Sequence, residues 1–330
     1  MYKFFLQRDD LNEATSFYLD IIKRALLNIG ENVEYVSSLK DITPLDKVLT
    51  IRAKTFFLVW LRNPKQYIVN WYQGIVPEEI MCLFENSFSK YFRKYIWTVW
   101  ERFALNHAQK NILVSKSMLE FYQKKYKYTK CNNFIMPCFN QVLDVASFTE
   151  DKYNSPTFVY AGSLSRWQCI DETLSLFAKI KEILPQASIT LLTKEQIRAQ
   201  KLCEKHNVSA QIKFVPSTEL NKELAKYKYG FLVRDDIAVN NVSTPTKMNS
   251  YMAAGVIPVY SNVIGDFQSI FKDLNNVISF KSTMECINKI MLMEKTKIHI
   301  NELRNEYKTI FDNYYSINRY INQLEIFFLY

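Results

Sequence analysis

Glycine is sparse in this chain, with 6 in 330 residues, so each one marks a place where the backbone needs what only glycine supplies. The 6 cysteines, Cys82, Cys131, Cys138, Cys169, Cys203 and Cys286, are scattered. They form no Cys-x-x-Cys pair and have no histidine at ligand spacing, which excludes a zinc module and a disulfide framework and points to a reduced, cytosolic compartment. Histidine is rarer still: His107, His206 and His299 lie on helix-like or tail segments, and no Ser-His-Asp arrangement can be built from their spacing. No stretch approaches the roughly 18 consecutive apolar residues that span a bilayer, and no basic start runs into an apolar segment. The expectation is a cytoplasmic protein, at most peripheral at the inner face of the cell membrane. Internal repeats, low-complexity tracts and nucleic-acid-binding motifs are absent as well.

What is present suits two cores. A hydrophobic content of 48% fills two domains of about 150 residues each. Lys and Arg outnumber Asp and Glu by 42 to 33, a formal charge of +9. That excess favours an anionic partner, whether nucleic acid, an anionic membrane or a phosphate-bearing small molecule. The polar, aperiodic segment Ala146 to Pro156 sets a boundary, giving domains over 1–150 and 151–300, followed by a helical tail over 301–330 that crosses back to the first domain.

In the first domain the pattern predicts a strand at Tyr2 to Leu6, a loop with Arg8, Asp9, Asp10 and Asn12, and a helix from Glu13 to Asn28 stopped by Gly30. Further strands are expected at Val33 to Val36, Thr55 to Trp60, Tyr67 to Trp71, Asn111 to Val114 and Phe134 to Met136, with short helices opened by Pro44 and Pro77 and another at Lys116 to Lys124. A helix over Phe88 to Phe103 carries Phe88, Tyr91, Phe92, Tyr95, Ile96, Val99 and Phe103 on one face and Lys90, Arg93, Lys94 and Arg102 on the other. An apolar stripe normally means burial, so the stripe is assigned to the core, with an anionic membrane interface as the alternative. In the second domain, strands at Thr157 to Ala161, Ser188 to Leu192, Ile212 to Val215, Phe231 to Val233 and Val256 to Tyr260 alternate with helices, the clearest being Asp171 to Leu184. Buried apolar strands alternating with helices mean an α/β fold with parallel, doubly wound sheets.

The functional centre is expected at Gly230 to Asn262, a strand, a long polar loop, a short helix and a second strand. Loops at the carboxyl ends of parallel strands bind ligands, and this one runs onto a helix N-terminus. Thr244 fits the N-cap and Pro245 the first helical position, which leaves the amides of Thr246 and Lys247 free for an anion. Lys247 and Arg234 supply cations, and Gly162, Ser163 and Arg166 follow the domain's first strand, where backbone and charge approach phosphates. Asp235 and Asp236, like Asp9 and Asp10, are adjacent acids in loops that need not converge on a metal.

With those motifs in place the chain resembles the retaining glycosyltransferases of the GT-B fold, specifically family 4-like enzymes that build bacterial surface polysaccharides. The likeness is strongest at NWYQG (Asn70 to Gly74), at the helix-to-strand run Glu101 to Ser115, at FVYAGSLSRWQ (Phe158 to Gln168), and at STPTK and YMAAGVIPV in the functional stretch. It implies two Rossmann-like domains facing a cleft, with a C-terminal helix packing back on the first. It implies a nucleoside-diphosphate sugar as donor substrate, transfer with retention to a glycan or lipid-linked acceptor in capsule, O-antigen or related polysaccharide synthesis, and no metal or other cofactor. Arg234, Lys247 and Gln73 would be the catalytic residues. Gly162, Ser163, Arg166, Asn240, Asn241, Ser243, Thr244, Pro245, Thr246 and Ser250 would hold the donor, and Tyr72, Gly74 and Arg8 would lie on the acceptor side. The two glutamates usual in that family fall here on Val242 and Ser250, the usual first-loop Arg and Lys near Ser163 and Gln168, and the usual acceptor-side histidine near Gln73. Ribose contacts would then pass to Ser250 or Asn249, and sugar hydroxyls to Asn240 and Asn241. Rival readings are a GT-B nucleotide-sugar epimerase, which converts donor without acceptor, and a non-catalytic nucleotide-sugar or nucleic-acid binding protein.

Overall fold

The computed structural model describes residues 1–8, 10–11, 13–83 and 88–330. The predicted loop positions Asp9 and Asn12 lie outside the described residues. The chain divides into two compact units, Met1–Asn140 with Ser316–Tyr330, and Gln141–Tyr315.

In the first unit the elements run β1 (Tyr2–Phe5), α1 (Glu13–Asn28), β2 (Val33–Val36), β3 (Lys47–Thr50), α2 (Ala53–Arg62), β4 (Tyr67–Tyr72), α3 (Val76–Leu83), α4 (Ser89–His107), β5 (Lys110–Leu113), α5 (Lys116–Tyr126) and β6 (Asn133–Ile135). Every pairing is parallel, in the order β2-β1-β3-β4-β5-β6. The order reverses between β1 and β3, the switch point at which open α/β sheets form ligand crevices.

In the second unit they run β7 (Thr157–Ala161), α6 (Ile170–Ile183), β8 (Ser188–Leu192), α7 (Gln196–Lys205), β9 (Ala210–Lys213), α8 (Ser217–Leu224), β10 (Tyr229–Leu232), α9 (Ala238–Asn241), α10 (Thr246–Ala253), β11 (Ile257–Ser261), α11 (Gly265–Ile270), β12 (Ile278–Phe280), α12 (Thr283–Lys295) and α13 (Ile300–Asn313). The sheet is again parallel, ordered β12-β11-β10-β7-β8-β9, so its switch point lies between β7 and β10. The last helix, α14 (Ile317–Leu329), belongs to the first unit. Its Phe328 meets Tyr2 with ring centroids 5.6 Å apart, and its Tyr320 meets Phe139 at the same 5.6 Å.

Both boundaries differ from the expected 150 and 300. The polar stretch after Asn140 is tied into the second unit: the Gln141 amide donates to Asn249 Oδ1 at 2.8 Å, and the Asp144 amide to the Ala253 carbonyl at 3.0 Å. At the other end, Tyr307 is fully buried and its hydroxyl donates to the Asn276 carbonyl at 2.7 Å, so only α14 crosses. Three local expectations also change. Thr55 to Trp60 is helical, because α2 buries Ala53, Phe56 and Val59 at helical spacing, a pattern that a short apolar run shares with a strand. No helix follows Pro44; Asp46 Oδ2 accepts the Thr43 amide at 2.7 Å in a turn, and β3 follows. The stretch Arg234 to Thr244 holds a single helical turn, α9.

Gly230 sets how closely α10 approaches the sheet. A Cβ there would stand 2.6 Å from the Tyr251 ring, whose hydroxyl accepts from the Ala161 amide at 3.2 Å and donates to the Phe231 carbonyl at 3.1 Å. Tyr251 thereby pins α10 to both β7 and β10. Gly230→Ala overpacks this contact and should lower stability by about 1–3 kcal/mol, read as a drop in the urea midpoint at unchanged slope.

Candidate functional site

At the switch point of the second unit, two loops meet. After β7 the chain turns at Gly162, with φ of +140°, and Tyr160 donates its hydroxyl to the Ser163 carbonyl at 2.5 Å. A single 3-10 turn, Arg166–Gln168, ends on Cys169 in the left-handed region, φ of +52°. Cys169 Sγ accepts the Asp235 amide at 3.3 Å and so ties this loop to the one that leaves β10. Burial pushes its thiol up to about 12, so the sulfur stays protonated.

Gln168 then joins the two predicted cations. Its Oε1 accepts from Arg234 Nη2 at 2.6 Å and from Lys247 Nζ at 2.6 Å, and its carbonyl accepts from Arg234 Nη1 at 3.1 Å. The Arg234 amide is anchored on Ser261 Oγ at 2.8 Å. The Lys247 ammonium sits 4.0 Å from the centroid of the Tyr160 ring, and its Cε occupies the place a Cβ on Gly162 would take, 2.7 Å away. Glycine is required there twice over, by its φ and by the lysine that fills its missing side chain.

Arg234 is almost wholly buried, and Lys247 is half-buried. Burial first, then Arg234, drives the Lys247 pKa well below the ordinary lysine value, and burial lowers that of Arg234. Among the described residues neither cation has a carboxylate partner. Two desolvated positive charges sharing one neutral amide oxygen are costly unless an anion completes them.

The helix N-terminus beside them differs in one detail from the expectation. The cap position is Pro245, with ψ of 128° and no side-chain cap, and α10 opens at Thr246 rather than at Pro245. Thr244 is buried one residue earlier. Pro245 accepts the Met248 amide on its carbonyl at 3.1 Å but offers no side-chain acceptor, and the first-turn amides of Thr246 and Lys247 have no preceding turn to bond. Ser163 and Arg166 are exposed on the β7 loop, outside the buried pair. Asn240 and Asn241 each spend their amide nitrogen inside the loop, on the Asp235 carbonyl at 3.0 Å and on Asp236 Oδ1 at 2.8 Å, and each has a buried side-chain oxygen with no partner. Ser243 Oγ donates to the Asn240 carbonyl at 2.8 Å, and Ser250 Oγ to the Thr246 carbonyl at 3.1 Å. Asn249 is engaged with Gln141 in both directions, which gives it an architectural task. No group of three metal-ligating side chains occurs among the described residues.

The first unit has a cavity of about 380 Å³ at its own switch point, where Asp10, Ile51, Arg52, Tyr72, Gln73 and Gly74 follow the ends of β1, β3 and β4. Arg8, expected beside them, is exposed and does not line it. Sequence reasoning missed the acids of this cavity. Asp10 pairs with Arg52 Nε at 2.5 Å, and Glu79 packs its Oε1 2.0 Å from where a Cβ on Gly74 would stand. Glu101, 2% exposed, accepts from Tyr126 at 2.7 Å and Tyr122 at 3.2 Å and pairs with Lys125 at 3.3 Å. Burial pushes its carboxyl up to about 7 against the pull of Lys125. A larger groove of about 890 Å³ lies in the second unit beside Phe271, Ile278 and His299, and none of the predicted site residues lines it.

No protein-family model matches the chain, and no curated protein matches it. Solved structures do. WaaG, a glycosyltransferase involved in lipopolysaccharide biosynthesis, superposes with a TM-score of 0.67 at 13% identity, over 98% of this chain and 99% of its own. A glycosyltransferase from Rickettsia africae ESF-5 gives 0.67 at 10% identity, over 99% and 97%. A variant of S. aureus TarM, in complex with fondaparinux, alpha-GlcNAc-glycerol and UDP, gives 0.62 at 11% identity over 85% of this chain. This chain spans 55% of the length of that protein. Likeness at these identities establishes the fold: the chain has the GT-B fold.

The raised Glu101 pKa has a measurable sign. Between the unfolded value of 4.5 and about 7 the folded chain binds the extra proton, so stability falls as pH rises through that window, by on the order of 3 kcal/mol in full. Denaturant titrations across pH 4.5 to 7.5 should show that slope, and Glu101→Gln should flatten it.

Proposed function

We propose that this chain is a glycosyltransferase that moves a sugar from a nucleoside-diphosphate donor to a hydroxyl of a glycan or lipid-linked acceptor, with retention, in bacterial surface-polysaccharide synthesis. The observation that carries the reading is the buried pair Arg234 and Lys247 held on the one neutral oxygen of Gln168 beside the N-terminus of α10. A diphosphate oxygen is the natural replacement for that amide oxygen, since it brings the negative charge the two cations lack. The neighbours support it: WaaG is described as a glycosyltransferase, and the TarM variant was solved with UDP.

In this scheme the bond between the anomeric carbon and the donor phosphate breaks, and its electron pair leaves with the diphosphate. Arg234, Lys247 and the α10 amides stabilise that departing charge. The acceptor oxygen attacks from the same face, and its proton passes to a donor phosphate oxygen. The unpartnered oxygens of Asn240 and Asn241 are acceptors for sugar hydroxyls. In this scheme Gln73, which lines the first unit's cavity with Tyr72 and Gly74, serves the acceptor side.

Calorimetry against a panel of nucleoside diphosphates tests the claim. At least one should bind, and Arg234→Ala and Lys247→Ala should each weaken it at least tenfold and lower turnover by about 100-fold. Gln168→Glu places a carboxylate between the cations; it should raise stability by about 1–3 kcal/mol while blocking nucleotide binding. Absence of any nucleotide binding, or binding indifferent to all three changes, would defeat the proposal. Donor conversion without acceptor would favour the epimerase.

A further inference from the structure

Helix α4 is turned inside out. Along its outer face run Phe88, Tyr91, Phe92, Tyr95 and Val99, at helical spacing and exposed by 94, 59, 68, 68 and 48%. Its inner face buries Glu101 in the Tyr122, Tyr126 and Lys125 network, and Lys94 reaches Glu78 at 3.8 Å. Of the stripe expected in the core, these five residues are therefore at the surface, Ile96 is half-buried and only Phe103 packs inward, on Phe57 at 5.4 Å and Trp60 at 4.7 Å, while a carboxylate is where an apolar residue would ordinarily be. Behind the stripe, half-buried Trp97 and Trp100 meet edge to face with centroids 5.2 Å apart, and Trp100 meets Phe57 of α2 at 6.3 Å. Arg102 continues the line of Tyr95 and Val99, Arg93 flanks Phe92, and both arginines are exposed.

We propose that the outer face of α4 docks in plane onto an anionic lipid surface, with Phe88, Phe92 and Tyr95 at the headgroup boundary and Arg93 and Arg102 against lipid phosphates. Three features select lipid over a protein partner. Among the described residues the stripe runs along the outside of one helix, with its side chains projecting outward. Its composition of Phe and Tyr over half-buried Trp suits an interface that is apolar on one side and wet on the other. Its flanking charges are both positive, on a chain of net +9, which complements anionic headgroups and would repel a second copy. The inference rests on α4 alone and is independent of the sugar-transfer reading.

The full chain should co-sediment with vesicles of phosphatidylcholine containing phosphatidylglycerol, weakly with phosphatidylcholine alone, and less as salt rises. Phe92→Ser with Tyr95→Ser should lower partitioning by about tenfold or more, and Arg93→Gln with Arg102→Gln by about tenfold. Both pairs are exposed, so circular dichroism and nucleotide binding should be unchanged in them. In the unaltered chain, brominated lipid should quench tryptophan fluorescence, a readout that needs no variant to fold. Failure to sediment with anionic vesicles, equal binding by the Ser pair, or no quenching would overturn the proposal. So would a dimer in solution that the Ser pair dissociates, since the stripe would then belong to a second copy.

Discussion

Two positive charges taken out of water and left to share one neutral oxygen are the constraint around which the second unit is arranged. Arg234 and Lys247 both donate to Gln168 Oε1, and the surrounding backbone is shaped to let them. Gly162 has no Cβ because the lysine's Cε is there. Cys169 adopts a left-handed conformation that presents Gln168, and its sulfur ties the two loops together. Tyr251 draws α10 against β7 and β10 so that Lys247 arrives at the junction. Strain and desolvation of this kind persist only where the rest of the structure over-determines them.

The first unit solves the complementary problem with negative charge. At its switch point Asp10 is neutralised by Arg52, and Glu101 is held by two tyrosines and a lysine. Holding Glu101 fixes the rotation of α4: once the carboxylate and Lys94 face inward, the aromatic residues on the opposite side have nowhere to go but outward. The exposed stripe is thus the other side of a buried polar network rather than a local accident of composition.

Much of the fold was legible because long periodic segments announce themselves. The bounds of α1 and the strand at Thr157 to Ala161 follow from their apolar spacing and their stops. The α2 segment was misread because six apolar residues in a row fit either period, and length alone decides. The α4 stripe had the right period and the wrong destination, since periodicity identifies a face but not which way it points. Arg234 and Lys247 could be named from their place after a strand and at a helix start. Gln168 and Glu101 could be placed in motifs but given no role, because a lone amide or acid carries no signal until its partners arrive.

By itself, the sequence determined a two-part α/β chain with parallel sheets and a strand, polar loop and helix in succession at Gly230 to Asn262. These are local properties: composition, period, and the chemistry of a strand running into a helix. Tertiary structure alone decided that Gln168 bridges the two cations, that acids line the first unit's cavity, and that α4 shows its aromatic face to solvent. Each of these depends on residues far apart in the chain meeting in one place, and on the cost of removing charge from water, which no single segment can register.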